Sequence, residues 1–286
     1  MINEPAWRAY EREVHAEVAT RYRDAVVTHD VKLAGHRSGV PRQIDILVEE
    51  RAPSGTVTTV IDAKHHGRKI DVKEVEAFIG LLHDIGICRG IMISSTGYTP
   101  AALQRAFRDD VDVDLDVFSL AEFRQFQSHG AIIYAGRNGA ILSAPLGWAV
   151  DGERFPDVLA RIYRRGRSFE EAYSQMEFMY VNLWDRQPPV STLEALLEQQ
   201  RSDILSVSPE ATIHLRELSS RSGPRACIRR AELPEYPTAE ITGFVEFENF
   251  IFFAVLFTPL VVERRNVRKL EYVLENVLPM SVRTAA

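Results

Sequence analysis

The sequence predicts an α/β domain with a mixed sheet flanked by helices, followed by a second, α+β domain. Three observations favour this fold class. The length of 286 residues allows one or two domains. Residues 5–125 alternate between helical periodicity and short strand-like runs, in the order helix, three strands, helix, strand, helix, strand. After Ser128 the pattern changes, so we expect a first domain over residues 1–128 and a second over residues 131–286.

The first domain begins with an amphipathic helix over residues 5–24, in which Trp7, Val14, Val18 and Tyr22 fall within a narrow arc at about 100° per residue. Asp71 begins a second helix, with Glu74 at the capping-box spacing. The other expected elements are strands at residues 25–33, 43–49, 57–64, 90–95 and 113–118, a helix from Thr99 to about residue 107, and a short helix capped by Ser119.

The second domain is expected to open with a hairpin whose strands span residues 131–135 and 140–143, around Arg137-Asn138-Gly139. Its "P-x-G-W" motif at Pro145–Trp148 and its terminal helix resemble the PsbP-like α+β fold, although Trp148 would also suit the core of another α+β fold. The other expected elements are helices at residues 155–164, 169–173, 193–205 and 267–277, and strands at residues 226–231, 239–247 and 250–260.

The composition is that of a globular protein, with 45% hydrophobic and 26% charged residues. A net charge of −6 argues against a protein that coats nucleic acid, but residues 32–73 hold eight Lys or Arg and three His against five Asp or Glu. Such local basicity suits an enzyme that grips a polyanion at one place. Two cysteines, no secretory signal and no apolar run long enough to span a bilayer lead us to expect a cytoplasmic protein without membrane contact.

Side-chain alternation along two strands predicts a polar cluster. Ile44, Ile46 and Val48 are expected to share one face of the second strand, whereas Gln43 and Asp45 share the other. In the third strand, Asp62 and Lys64 face away from Ile61 and Ala63. If the two strands are neighbours, then Asp45, Asp62 and Lys64 converge.

This convergence has a chemical use. Two carboxylates, with a backbone carbonyl and waters, would hold Mg²⁺ or Mn²⁺, which polarises a phosphodiester and acidifies a water. The Lys64 ammonium would offset charge in the transition state. Glu11 lies on the apolar stripe of the first helix, where it would be an outer member of the site. The alternatives are a solvated sheet face for the Asp and Lys pair, and the edge of the core for Glu11.

Basic residues near these strands are candidates for phosphate contacts. They are Arg37, Arg42, His65, Arg68, Lys69 and Lys73. The alternative is a solvated strand end. His83-Asp84, on the second helix, is interpreted as a surface pair.

The motifs "YEREV", "RQIDILVEE", "TVIDAKHH" and "RGIMISSTGYTPAALQRA" together resemble the Mrr-type restriction endonuclease domain of the PD-(D/E)xK nuclease superfamily, over about 100 residues. The resemblance implies that Asp45 and Asp62 bind Mg²⁺, that Lys64 is the catalytic lysine, and that Glu11 and Gln43 are accessory. Many Mrr-type domains carry Gln or Glu at the position of Asp62. The change shortens or charges the ligand, which bears on the metal preference but does not remove the site.

The implied function is a metal-dependent endodeoxyribonuclease that acts on DNA, in defence against foreign or modified DNA. The alternatives are an inactive nuclease fold that binds DNA or a partner, and a repair or junction nuclease. The second domain shows no catalytic motif, so contacts with DNA or with other proteins are expected there.

The predicted domain boundary can be tested by limited proteolysis. A stable fragment ending between about residues 120 and 135 is expected, because each half has enough apolar residues for its own core and boundaries are uncertain by a few residues. Mass spectrometry of the digest locates the cut. Unfolding in one cooperative step without such a fragment would count against two domains.

Overall fold

The computed structural model describes residues 5–108, 112–125, 127–218 and 223–281. The chain forms two compact units, Met1–Phe126 and Gln127–Ala286. Among the described residues, none of the helices combines the length and the apolar character needed to cross a bilayer.

The first unit contains the predicted elements in the predicted order. They are α1 (Ala6–Arg21), β1 (Ala25–Ala34), β2 (Pro41–Ala52), β3 (Gly55–Lys64), α2 (Val72–Ile85), β4 (Arg89–Ser94), α3 (Pro100–Ala106), β5 (Asp114–Ser119) and α4 (Leu120–Arg124). The strands form one sheet in the order β1-β2-β3-β4-β5. β1, β2 and β3 are antiparallel, whereas β3, β4 and β5 are parallel and are joined by α2 and α3. The expected mixed α/β fold is confirmed.

The helix starts predicted from the sequence are also observed. The Asp71 side chain accepts hydrogen bonds from the backbone N–H groups of Lys73 and Glu74, and the Glu74 carboxylate accepts one from Asp71 N at 3.0 Å. Thr99 caps α3, with Pro100 at its first position. These caps satisfy N–H groups that a helix leaves without an internal partner.

One predicted face assignment is wrong. Ile44 and Leu47 both belong to the core cluster beneath α2 and α3, although strict alternation would put them on opposite faces. Ile44 therefore does not share the face of Ile46. The physical reason lies across the hairpin. Asp30, opposite Asp45 in the register, has a left-handed φ of 56°, which interrupts the regular alternation of the strand pair.

The second unit is richer in strands than predicted. It contains β6 (Gly130–Ala135), β7 (Asn138–Ser143), β8 (Trp148–Asp151), β9 (Ala160–Arg164), α5 (Phe169–Ser174), β10 (Phe178–Asp185), α6 (Leu193–Val207), β11 (Thr212–Leu218), β12 (Ala226–Glu232), β13 (Glu240–Glu246), β14 (Phe250–Phe257), α7 (Glu263–Asn276) and β15 (Leu278–Ser281). Seven strands form one sheet in the order β11-β12-β13-β14-β10-β9-β8, and β15, β7 and β6 form another.

Two predictions for this unit are wrong. Residues 155–164 are not a helix, because Ala160–Arg164 is the buried strand β9. The Arg161 guanidinium in that strand lies over the rings of Phe155 and Phe169, at 4.2 and 3.9 Å from their centroids, and pairs with Asp151. The hairpin turns at Gly136-Arg137, where Gly136 has a φ of 58°, while Asn138-Gly139 is already in β7.

Gly90 tests the packing of α2 on β4. A Cβ atom at this position would lie 2.5 Å from Leu82 Cδ1 and 2.7 Å from Phe78 Cε1. Gly90→Ala should therefore lower the free energy of unfolding by about 1–3 kcal/mol through overpacking. The matched control is Gly80→Ala in the exposed part of α2, where an added Cβ meets nothing within 4 Å. That change should stabilise the protein by roughly 0.5–1 kcal/mol. Urea unfolding measures both, and equal effects would contradict the packing.

Candidate active site

Asp45, Asp62 and Lys64 lie together at the end of β3. Lys64 Nζ is 2.9 Å from Asp62 Oδ1. Asp45 Oδ2 accepts a hydrogen bond of 2.9 Å from the backbone N–H of Ala63. The Asp45 and Asp62 carboxyl groups are themselves within hydrogen-bonding reach of each other. The structure therefore brings together the three residues that the sequence singled out.

The strand register explains this proximity. Ile46 pairs with Ile61, and Leu47 pairs with Val60, so the next position along β2 puts Asp45 beside Asp62. All four of the paired residues are buried. Ile46 and Leu47 point to opposite faces and both are buried, so a slip of the register would disturb apolar packing on both faces of the sheet.

The environment of this cluster opposes the ionised form of Asp62. Burial raises the pKa of Asp62, and the nearby Asp45 carboxylate raises it further, while Lys64 acts in the opposite direction. Burial disfavours the charge on Lys64, but the adjacent Asp62 outweighs this effect and raises the pKa of the ammonium. The Asp62 side chain is 15% exposed and that of Lys64 is 30% exposed, so both are accessible from one side.

Glu11 belongs to the same neighbourhood. Burial raises the pKa of Glu11, and the charges of Asp45 and Asp30 raise it further. Its Oε2 lies 3.9 Å from Nε2 of His29 in β1. α1 therefore brings a further carboxylate to the edge of the cluster.

Sequence reasoning missed Asp30. The Gln43 side-chain amide donates a hydrogen bond to Asp30 Oδ1, so Gln43 contacts this carboxylate. His29 pairs with Ile46 and Val31 with Ile44, which puts Asp30 opposite Asp45. The signal was present, since Asp is depleted in strands and Asp30 interrupts the run Val26-Val27-Thr28-His29.

The six predicted DNA-contact residues divide into two groups. Near the cluster, Arg68 pairs with Asp71 and Glu74 at the start of α2, and the ring centroids of His65 and Tyr10 are 5.2 Å apart. Lys69 and Lys73 are exposed in this region. They form the first group with His65 and Arg68.

Arg37 and Arg42 form the second group, near the other end of α2. The Arg42 guanidinium pairs with Asp84, and Arg37 N donates to the same carboxylate. Glu74 and Asp84 are ten residues apart in α2, which corresponds to about 15 Å along the helix axis. The six candidates for phosphate contact therefore lie in two separate places along α2.

The chemistry of the cluster fits a divalent cation. Asp45, Asp62, Glu11 and Asp30 supply hard oxygen atoms, and Lys64 is the cation paired with them. A bound cation would relieve the repulsion between the two partly buried carboxyl groups of Asp45 and Asp62. Within the described part of the chain, no group of three or more His, Cys, Asp or Glu has the geometry of a preformed metal site. Asp45 and Asp62 would thus be the two protein carboxylates on the ion, with Glu11 outside it.

The comparison with protein-family models supports a nuclease for the first unit. Residues 19–122 match the family model Mrr_cat, described as restriction endonuclease. The match includes Asp45, Asp62 and Lys64, and it confirms the resemblance seen in the sequence; Glu11 precedes the matched range. It supports a nuclease of the restriction endonuclease-like superfamily. Members of this superfamily generally use divalent metals, and a nuclease domain implies a DNA substrate.

No curated protein matches the chain. Among solved structures, the solution structure of cyanobacterial PsbP (CyanoP) from Synechocystis sp. PCC 6803 is similar over 54% of this chain and 94% of that chain. The TM-score is 0.32 and the sequence identity is 12%.

Metal binding can be measured without cleavage. After treatment with EDTA, addition of Mn²⁺ or Mg²⁺ should raise the melting temperature, because an ion at a hundred times its Kd stabilises the folded state by about 2.7 kcal/mol. Asp45→Asn and Asp62→Asn should each remove this shift. Asp24→Asn, at an exposed carboxylate outside the cluster, is the control and should retain it. A shift that survives in both cluster variants would place the ion elsewhere.

Proposed function

We propose that the first unit is an Mg²⁺- or Mn²⁺-dependent endodeoxyribonuclease that hydrolyses DNA phosphodiester bonds. The observation that carries this proposal is the convergence of Asp45, Asp62 and Lys64 within the segment that matches the restriction endonuclease model. A degenerate nuclease fold would have no chemical reason to hold a lysine and two carboxyl groups in mutual contact.

Each residue has a distinct role in this proposal. Asp45 and Asp62 hold the cation, and the Ala63 N–H orients Asp45. When bound, the cation would polarise the phosphodiester. Lys64, oriented by Asp62, would offset the negative charge that develops on the phosphate.

The surrounding residues orient this centre and the DNA. Glu11 holds negative charge at the outer side of the cluster, and Gln43 orients Asp30. DNA phosphates next to the centre would contact the first basic group, in which Lys69 and Lys73 are exposed.

We further propose a role in defence against foreign or modified DNA, which the match to a restriction endonuclease model supports. The unpaired Cys88 and Cys227 support a reducing, cytoplasmic location. No chemistry is assigned to the second unit, for which contacts with DNA or other proteins are expected.

The alternative is an inactive nuclease fold that binds DNA or a partner, and one assay separates it from the enzyme. Supercoiled plasmid is incubated with the purified full chain and Mg²⁺ or Mn²⁺, with and without EDTA. The enzyme should nick or linearise the plasmid only without EDTA. Cation and DNA binding without any cleavage would favour the inactive module.

Lys64→Ala tests the assignment of the lysine. Cleavage should fall on the order of a hundredfold or more, because a transition-state electrostatic contact is lost. Circular dichroism should be unchanged, since Lys64 is partly exposed at a strand end. Arg51→Ala, an exposed cation at the opposite end of β2, is the control and should cleave as the unmodified protein does. Full activity in Lys64→Ala would refute the role.

A further inference from the structure

The end of the β1–β2 hairpin, residues 31–42, is a basic projection that we call the hairpin finger. It carries Lys32, His36, Arg37 and Arg42 and contains no Asp or Glu, in a chain whose net charge is −6. Every residue from His36 to Pro41 is exposed, and so is Lys32. Among the described residues, no hydrogen bond or ion pair engages the Lys32 ammonium or the Arg37 guanidinium.

A buried carboxylate holds the finger in one conformation. Asp84, near the end of α2, accepts hydrogen bonds from Arg37 N at 3.1 Å, Ser38 N at 2.7 Å and Ser38 Oγ at 2.7 Å. It also pairs with Arg42, and its side chain is 6% exposed. The hydrogen bonds from Ser38 and Arg42 hold the pKa of Asp84 well below its usual range. Asp84 is therefore not the surface residue expected from the sequence.

Gly35 allows the loop to close on this carboxylate. A Cβ atom at Gly35 would lie 2.5 Å from Val40 O and 2.6 Å from Asp84 Oδ2. Gly35 N also donates to Val40 O at 3.1 Å. These contacts close the loop against α2 and leave His36 and Arg37 exposed at its tip, while Lys32 lies within β1, opposite Gln43.

The exposed cations of the finger favour an anionic partner. Lys32 and Arg37 offer only N–H donors, and the Ser38 hydroxyl is already engaged by Asp84. Ordered cations of this kind suit phosphates, which they contact without reading sequence. A preorganised loop also loses less conformational entropy on binding than a free one.

The distance from the tip to the candidate active site follows from the strand. Val40 and Asp45 are five residues apart in the sequence, which corresponds to about 16 Å along an extended strand. Because DNA rises about 3.4 Å per base pair, this distance spans roughly five base pairs.

We propose that the hairpin finger binds the phosphate backbone of duplex DNA about five base pairs from the phosphate at the cutting centre. His36 and Arg37 at the tip make these contacts, and Lys32, opposite Gln43 in β1, lies nearer the centre. Arg42, Asp84 and Gly35 are positioning residues. The inference rests on the proposed function in taking DNA as the substrate, but it does not need cleavage.

The test measures binding of a fluorescent 30-base-pair duplex (a length of about 100 Å) by anisotropy, at several salt concentrations. All proteins are full chains that carry Asp62→Asn, so that cleavage does not interfere. Arg37→Glu should weaken binding on the order of tenfold and lower the slope of log K against log salt by about 0.9 or more, the value for one phosphate contact. Arg51→Glu makes the same charge change at the other end of β2 and should alter neither quantity.

Asp84→Asn distinguishes the effect of loop positioning on DNA binding from the effect of overall charge. This change removes one negative charge, so electrostatics alone predicts tighter DNA binding. Loss of the clamp predicts weaker binding and a lower salt slope, as in Arg37→Glu. Gly35→Ala should also weaken binding, without any change in charge. Circular dichroism identifies a variant that fails to fold, and Arg37→Glu then decides alone.

The inference is overturned if Arg37→Glu and Arg51→Glu bind alike, if Asp84→Asn binds more tightly, or if the protein binds no duplex at all. Failure of the proposed nuclease is a different result. A protein that never cleaves but loses duplex binding through Arg37 supports the finger and refutes the enzyme. A protein that cleaves and binds independently of Arg37 supports the enzyme and refutes the finger.

Discussion

The candidate site depends on holding two carboxyl groups, Asp45 and Asp62, against each other on adjacent strands. Burial and the charge of Asp45 both oppose the ionisation of Asp62 and raise its pKa. Lys64 and the Ala63 N–H offset part of this cost, and a divalent cation would offset more. The cost is tolerated because the register of β2 and β3 is set elsewhere, by buried apolar pairs. The hydrophobic core thus imposes an arrangement that the polar groups alone would not adopt.

Regular alternation explains why much of this site could be predicted. β3 is an uninterrupted strand, so the sequence alone put Asp62 and Lys64 on one face. The caps of α2 and α3 were likewise predictable, because capping residues act on neighbours a few positions away. Alternation failed at Ile44, where Asp30 in the opposite strand has a left-handed backbone. The sequence signals an irregularity at Asp30, because Asp is depleted in strands, but it does not indicate that the face of Ile44 in the opposite strand changes.

The other wrong predictions involve charged residues whose partners lie far away in the sequence. A helix was predicted over residues 155–164, but this segment contains the buried strand β9, in which aromatic rings and an acidic partner accommodate the Arg161 guanidinium. Asp84 suggested a surface pair, yet its partners Arg37, Ser38 and Arg42 lie more than forty positions earlier in the chain. Periodicity reports only local sequence, so it cannot distinguish a solvated charge from one that a remote segment satisfies.

An acidic protein that acts on DNA must bring a polyanion to a cluster of carboxylates. The distance between the exposed cations of the finger tip and the carboxylates of the cluster allows the protein to bind DNA. Screening reduces interactions between exposed charges beyond a Debye length of about 8 Å at physiological salt, and the tip of the finger lies roughly 16 Å along β2 from Asp45. The carboxylates therefore weaken the attraction of Arg37 for phosphate only slightly. The finger would supply affinity where the field is positive, while the acidic centre remains free to hold the cation on which the proposed chemistry depends.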